Sequence, residues 1–316
     1  MQHAAEVRKA WVYAFRMLKC SLFSLSEWMA LLLAGAALAS ALPSTAQTSM
    51  SPAAPSSAQS SAYPAAQTPR PARPKPEETE FYQPVPPVVT PAATVGMPPS
   101  DAIVLFDGKD MGQWVSAKDG ITPADWDVHD GVVTVRKGGV GNIQTRQKFK
   151  DYQLHVEWRV PEGIEGAGQA RGNSGVFLAS TGPGDDGYEL QVLDSYNNET
   201  YTNGMLGSLY KQSVPLVNAA RKPGEWSSYD IVWTAPRFNE DGTLKTPAYA
   251  TAFENGVLVE DHFELKGQTL YIGQPFYKAY DTAPIKLQAH GDKSAPISFR
   301  NIWVREVKHW ETTPHN

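Results

Sequence analysis

The stretch GYELQVLDSYNNETY, residues 187–201, carries three polar side chains in the spacing E-x-Q-x-x-D: Glu189, Gln191 and Asp194. They interrupt a run that otherwise alternates as a strand, with Tyr188, Leu190 and Val192 forming its apolar face. Charged groups on a buried strand cost free energy unless they are paired or used. Strict alternation puts Glu189 and Gln191 on the face opposite the apolar set and turns Asp194 inward. One extra residue in a β-bulge near Leu193 brings Asp194 round beside Glu189. Two carboxyls and an amide gathered there can do general acid–base work or hold sugar hydroxyls, or they form a solvated outer face.

A second set of polar groups flanks this one. RGNSG at 171–175 offers Arg171 and Asn173, and IKLQAHG at 285–291 puts Lys286, Gln288 and His290 on one face with Ile285, Leu287 and Ala289 on the other. Sugar sites combine such groups with aromatic platforms, here Tyr196, Tyr201, Tyr210 or Trp226. Each group has a plainer alternative. Arg171 can bridge Asp185 or Asp186, His290 can be a satisfied turn histidine, and Asn173 and Ser174 can be turn-formers. Arg300 is as readily a structural ion pair as a ligand contact, and His155 and Glu157 are expected on a solvent face.

The spacing itself resembles the E-x-D-x-x-E strand of laminarinase-like retaining glucanases. Here Gln replaces the middle Asp and Asp the last Glu, and double displacement needs two carboxyls about 5 Å apart.

Positioning these residues falls to strands. Tyr152, Leu154, Val156, Trp158 and Val160 alternate with Gln153, His155, Glu157 and Arg159, and SSYDIVWTA repeats the pattern with Tyr229, Ile231, Trp233 and Ala235. Asp130-Gly131 and Asn255-Gly256 lie between such runs and accept the positive φ of tight hairpins. No helical spacing is sustained from 101 onward. About a dozen short antiparallel strands predict an all-β, two-sheet jelly-roll sandwich over 101–310, with a closed barrel as the alternative and 311–316 as a tail.

The rest of the 316-residue chain is of another kind. Arg8, Arg16 and Lys19 precede the apolar run MALLLAGAALASAL, which is shorter than the about 20 residues a spanning helix needs. With STA at 44–46 it predicts an export signal over 1–46 and a periplasmic or secreted protein, any membrane contact being through that signal or an uncleaved anchor. Cys20, the single cysteine, leaves with the signal, so disulfides and thiolate chemistry are excluded from the mature chain. Residues 47–100, rich in Ala, Pro and Ser, predict a disordered, solvated tether. A formal charge of -5 supplies no basic field for nucleic acid.

Taken in order, DYQLHVEWRVP, RGNSGVFL, YELQVLDSYNNETY, PLVNAARKPGEWSSYDIVWTAPR, NGVLVE, IKLQAHG and FRNIWVRE resemble the 3-keto-disaccharide hydrolase domain family over residues 102–307. That family is also described as 3-keto-glucoside 1,2-lyase and 2-hydroxyglucal hydratase domains. The resemblance implies a concanavalin A-like sandwich acting on glycosides already oxidised at C3 by a separate oxidoreductase. A C3 ketone acidifies the C2 proton, so a base can remove it, the enediolate can expel the C1 substituent, and water can add back. Such a site needs a base, a stabiliser of the enediolate oxygen and an acid for the leaving group. Within the matching motifs, Glu189 and His290 are the base and acid in either order, Arg171 the stabiliser of negative charge, and Gln191 and Gln288 the residues that orient hydroxyls. Asn173, Asp194, Tyr196 and Tyr201 are the further substrate contacts. Asp194 can instead tune His290, or join Glu189 and His290 around a divalent cation. A laminarinase-like glucanase and a non-catalytic carbohydrate-binding module are the competing expectations.

Overall fold

The computed structural model describes Arg73 and residues 75–309. The expected export signal, the first part of the tether and the whole of the expected tail lie outside these residues. Among those described, no helix is long and apolar enough to cross a membrane.

Among the described residues fifteen strands follow one another: β1 (Ile103–Phe106), β2 (Trp114–Ser116), β3 (Asp127–His129), β4 (Val132–Thr134), β5 (Ile143–Thr145), β6 (Tyr152–Arg159), β7 (Ser174–Ser180) and β8 (Gly187–Val192). Then come β9 (Trp226–Thr234), β10 (Arg237–Phe238), β11 (Leu244–Thr246), β12 (Tyr249–Glu254), β13 (Val257–Glu264), β14 (Lys286–Leu287) and β15 (Ser298–Glu306). An eight-stranded sheet runs β13-β12-β9-β6-β15-β4-β3, with β1 also on β15. A five-stranded sheet runs β2-β5-β14-β7-β8, and β10 and β11 make a separate hairpin. All pairings are antiparallel, as the expected sandwich requires.

The core forms where alternation said it would. Tyr152, Leu154, Val156 and Trp158 of β6 and Tyr229, Ile231 and Trp233 of β9 are buried with Val176 and Leu178 of β7 and Tyr188, Leu190 and Val192 of β8. Tyr188 packs on Trp233 at 5.4 Å between centroids. Buried tyrosines need a partner for the hydroxyl. Tyr152 Oη donates to the Leu178 carbonyl and Tyr229 Oη to that of Gln191, so both tie the large sheet to the small one. Asp130-Gly131 and Asn255-Gly256 turn β3 into β4 and β12 into β13 with φ of 49° and 77°, and of 53° and 80°. Asn, Asp and Gly tolerate that region best, which is why these dipeptides marked the hairpins.

Two differences from the sequence reading stand out. The end of the expected tether is laid on the large sheet: the Gly96 carbonyl accepts from Asn301 Nδ2 and Trp303 Nε1, both at 2.8 Å. His155, expected in solvent, is therefore buried beneath it, stacked on Trp303 at 5.3 Å and bonded through Nδ1 to Asp230 at 2.7 Å. Glu157, its expected companion in solvent, is half-buried and holds Arg300 and Asn301. Local alternation identified the face but could not show that a distant segment covers it.

Candidate active site

Strand β8 lies at the edge of the small sheet, where unpaired backbone groups would be a liability. Loops take up that edge. Gln191 N donates to Ser208 O at 2.9 Å, Tyr210 N to Glu189 O at 3.0 Å, Glu189 N to Thr269 Oγ1 at 3.0 Å and Thr269 N to Gly187 O at 2.6 Å. The same bonds bring Tyr210, Thr269 and Tyr271 over the outer face of the sheet. Both faces of β7 and β8 are consequently buried.

Under these loops is a chamber of about 140 Å³. Glu189, Gln191, Asn173, Gln288 and His290 line it together, as the sequence reading required, and Asp185, Tyr210, Thr269 and Tyr271 complete its wall. It opens into a vestibule of about 500 Å³ that shares Asn173, Tyr210, Tyr271 and His290 and adds Gln169, Tyr201, Lys211 and Asp292. A small polar hollow behind an aromatic-lined mouth suits a sugar ring with a substituent pointing outward.

Glu189 is 4% exposed, and its carboxylate makes no hydrogen bond to any described residue. Burial pushes its pKa up to about 8, Asp185 adds to the rise, and Lys286 opposes it. Room for the side chain comes from Gly175 on the neighbouring strand, where a Cβ would sit 2.3 Å from Glu189 Oε1. Lys286 is fully buried, and its ammonium donates to the carbonyls of Gly182, Gly184 and Asp186 at 3.0, 2.9 and 2.8 Å. Burial lowers its pKa to about 8 against the pull of Asp185, Asp186 and Glu189. Three carbonyl acceptors use all three N–H donors, which favours the charged form at neutral pH.

The amides form a connected floor. Gln191 Nε2 donates to Gln169 Oε1 at 3.2 Å and to Asn173 Oδ1 at 3.3 Å, and Asn173 Nδ2 donates to the Gln169 carbonyl at 2.9 Å. The side-chain oxygens of Gln191 and Gln288 are buried without a partner. Buried polar atoms are rarely left so, and ligand hydroxyls would satisfy them. His290 Nδ1 bonds Asp292 Oδ2 at 2.9 Å, which orients the ring. Burial works against the Asp292 carboxylate, but hydrogen bonds from Ser294 and His290 hold its pKa below the ordinary value.

Other expected site residues lie elsewhere. Strand β8 ends at Val192, and the irregularity in its pairing with β7 falls between Phe177 and Ala179, not at Leu193. Asp194 thus never joins Glu189. Its Oδ2 lies 2.8 Å from Arg171 Nε, and its Oδ1 accepts from Tyr196 N at 3.0 Å. Arg171 also donates to the Tyr196 carbonyl at 2.6 Å, so it fastens the loop before β7 to the loop after β8. Arg171 pairs neither with Asp185 nor with Asp186, and Arg171, Asp194 and Tyr196 do not line the chamber or the vestibule. Among the described residues no group of three or more His, Cys, Asp or Glu side chains could hold a metal ion. The expected cation set of Glu189, Asp194 and His290 is not assembled, because Asp194 is turned to Arg171. Trp226, a candidate platform, instead stacks between Arg159 and Arg300 at 4.7 and 4.0 Å.

Sequence reasoning missed several groups. Lys286 was already on the face of Gln288 and His290, and Asp292 is two residues from His290, so both had a local signal. Thr269, Tyr271 and Lys211 had none, since long loops deliver them.

The 3-keto-alpha-glucoside-1,2-lyase-like domain profile matches residues 101–305. A 3-keto-disaccharide hydrolase of Bacteroides thetaiotaomicron is 30% identical over 240 residues, covering 64% of this chain and 77% of that protein. A provisionally named glycosyl hydrolase of Parabacteroides distasonis, known as a crystal structure, is 55% identical with a TM-score of 0.68 and covers 74% of this chain and 97% of its own.

Proposed function

Since the chain belongs to the 3-keto-alpha-glucoside-1,2-lyase-like domain family, we propose that it cleaves glycosides oxidised at C3 by eliminating the C1 substituent and adding water. The observation that carries this reading is Glu189, a buried carboxyl with its pKa pushed up to about 8 and no hydrogen bond from any described residue, in one chamber with a His290–Asp292 pair. As base, Glu189 takes the proton from C2, whose acidity comes from the neighbouring ketone. The electron pair left behind forms the enediolate, whose oxygen is stabilised by the Gln288 amide, which donates no side-chain hydrogen bond to any described residue. The pair then expels the C1 oxygen, which takes a proton from His290. Gln191 and Asn173 hold hydroxyls. Water adds back across the new double bond to leave a free 3-keto sugar.

The expected glucanase pair is absent, since Asp194 is held by Arg171 outside the chamber. The export signal expected from the sequence of residues 1–46 supports action in the periplasm or outside the cell, with a separate sugar 3-oxidoreductase supplying the ketone.

The test is incubation of the purified protein with 3-keto-trehalose, trehalose and laminarin in heavy water, followed by NMR. Release from the ketone alone, with deuterium at C2 of product, is expected. Cleavage of laminarin alone would support a glucanase, and binding without turnover would support a carbohydrate-binding module; either result overturns the proposal.

A further inference from the structure

Lys211 stands in the vestibule with its charge unmatched. Its Nζ lies 4.0 Å from the centroid of the Tyr201 ring and 5.7 Å from those of Tyr210 and Tyr271. No carboxylate of a described residue pairs with it. Asp292 also lines the vestibule, but it is engaged by Ser294, His290 and Lys137. Aromatic faces attract an ammonium and hold it in place without neutralising it. The two phenols bond each other, Tyr201 Oη to Tyr210 Oη at 2.6 Å, so the cage keeps its shape.

The backbone tells the same story. Lys211 has φ of 64°, in the left-handed region, while its N–H donates to the Asn203 carbonyl at 2.7 Å. A long side chain is uncommon there, and residues held in such conformations cluster at ligand sites. The turn aims a cation into space that a ligand can fill.

Where the C2 proton faces Glu189 in the inner chamber, the C1 substituent extends past His290, which lines both spaces, into the vestibule. We propose that Lys211 selects the leaving group, so that the favoured substrates carry an anionic substituent on an aglycone stacked against Tyr271. This rests on the elimination reading given above. Tyr271 is 72% exposed and forms the open side of the mouth, where a flat aglycone has a ring face to meet.

The experiment compares two 3-keto-glucosides whose aglycones are 4-hydroxyphenylacetic acid and 4-(2-hydroxyethyl)phenol. They differ in charge and hardly in leaving-group acidity. At low salt, the wild-type protein is expected to favour the acid about tenfold in kcat/KM, equivalent to about 1.4 kcal/mol. The difference should lie in KM and shrink as salt is raised. Lys211→Met should bring the ratio of the two substrates to about one, whereas Lys211→Arg should keep most of it. No preference in the wild type, or an undiminished preference in Lys211→Met, overturns the proposal. If neither ketone is turned over, the elimination reading fails. The unoxidised parent glucosides, titrated by NMR into wild type and Lys211→Met, then decide the matter for Lys211: about tenfold weaker binding of the acidic one by the variant supports it, and equal binding overturns it.

Discussion

Glu189 sets the chemistry at the scale of a residue. A base acts only when deprotonated, and burial has moved this carboxyl to about 8. Accordingly, kcat/KM should rise with pH from 6 to 9 with a limb near 8; a fall through the same region would make Glu189 the acid instead. Glu189→Gln should lower kcat by about 10²–10⁴-fold while leaving the thermal transition in place. Gly175→Ala addresses position and not ionisation. A methyl 2.3 Å from Oε1 must push the carboxylate aside, and a misplacement of about 1 Å can cost about 100-fold in kcat. Kinetics of this variant, with its melting curve as control, test whether the glycine keeps room for the base.

At the scale of elements, two loop anchors matter. The loop carrying Tyr210 and Lys211 rests on buried carboxyls: Ser213 donates to Glu260, and Gly207 lies over Glu254. Elsewhere on the same large sheet, the segment around Gly96 covers His155. Burial disfavours the His155 cation, yet Asp230 and Glu157 push its pKa up to about 9. A histidine raised from 6.5 in the unfolded chain contributes stability that is complete below pH 6.5 and lost as pH rises through 9. Removing residues up to 97 takes away the carbonyl held by Asn301 and Trp303 and lets water reach His155. Such a chain should lose about 1–2 kcal/mol in urea denaturation at pH 7, with the same active-site kinetics.

For the whole molecule, the buried acids decide how stability follows pH. Burial raises Glu254 to about 8 and Glu260 to about 7, in addition to Glu189. Between pH 4.5 and these values the unfolded chain has released protons that the folded chain keeps, so each group favours the fold less as pH rises. Each contributes a slope of up to about 1.4 kcal/mol per pH unit. The denaturation midpoint should therefore be highest near pH 5 and decline toward pH 8, while activity climbs over the same range. Glu254→Gln should flatten the decline. A midpoint that increases from pH 5 to 8 would show that these carboxyls ionise freely in the fold.

Period-two alternation, hairpin dipeptides and motif order were enough to predict the sandwich, its core faces and the meeting of Glu189 and Gln191 with His290. The first two are consequences of local geometry, because side chains two apart on a strand share a face whatever surrounds them, while the meeting with His290 depends on β7 pairing with both β8 and β14. The fate of Asp194 was not legible, since it depended on where β8 stops and on an arginine held across from it. Nor were the cover over His155 and the cage around Lys211. They arise from loops that close over both sheets, and contacts between segments far apart in the chain leave no periodic mark on either one. Local pattern thus determined which residues face the site, and tertiary packing decided which are buried, charged and free to act.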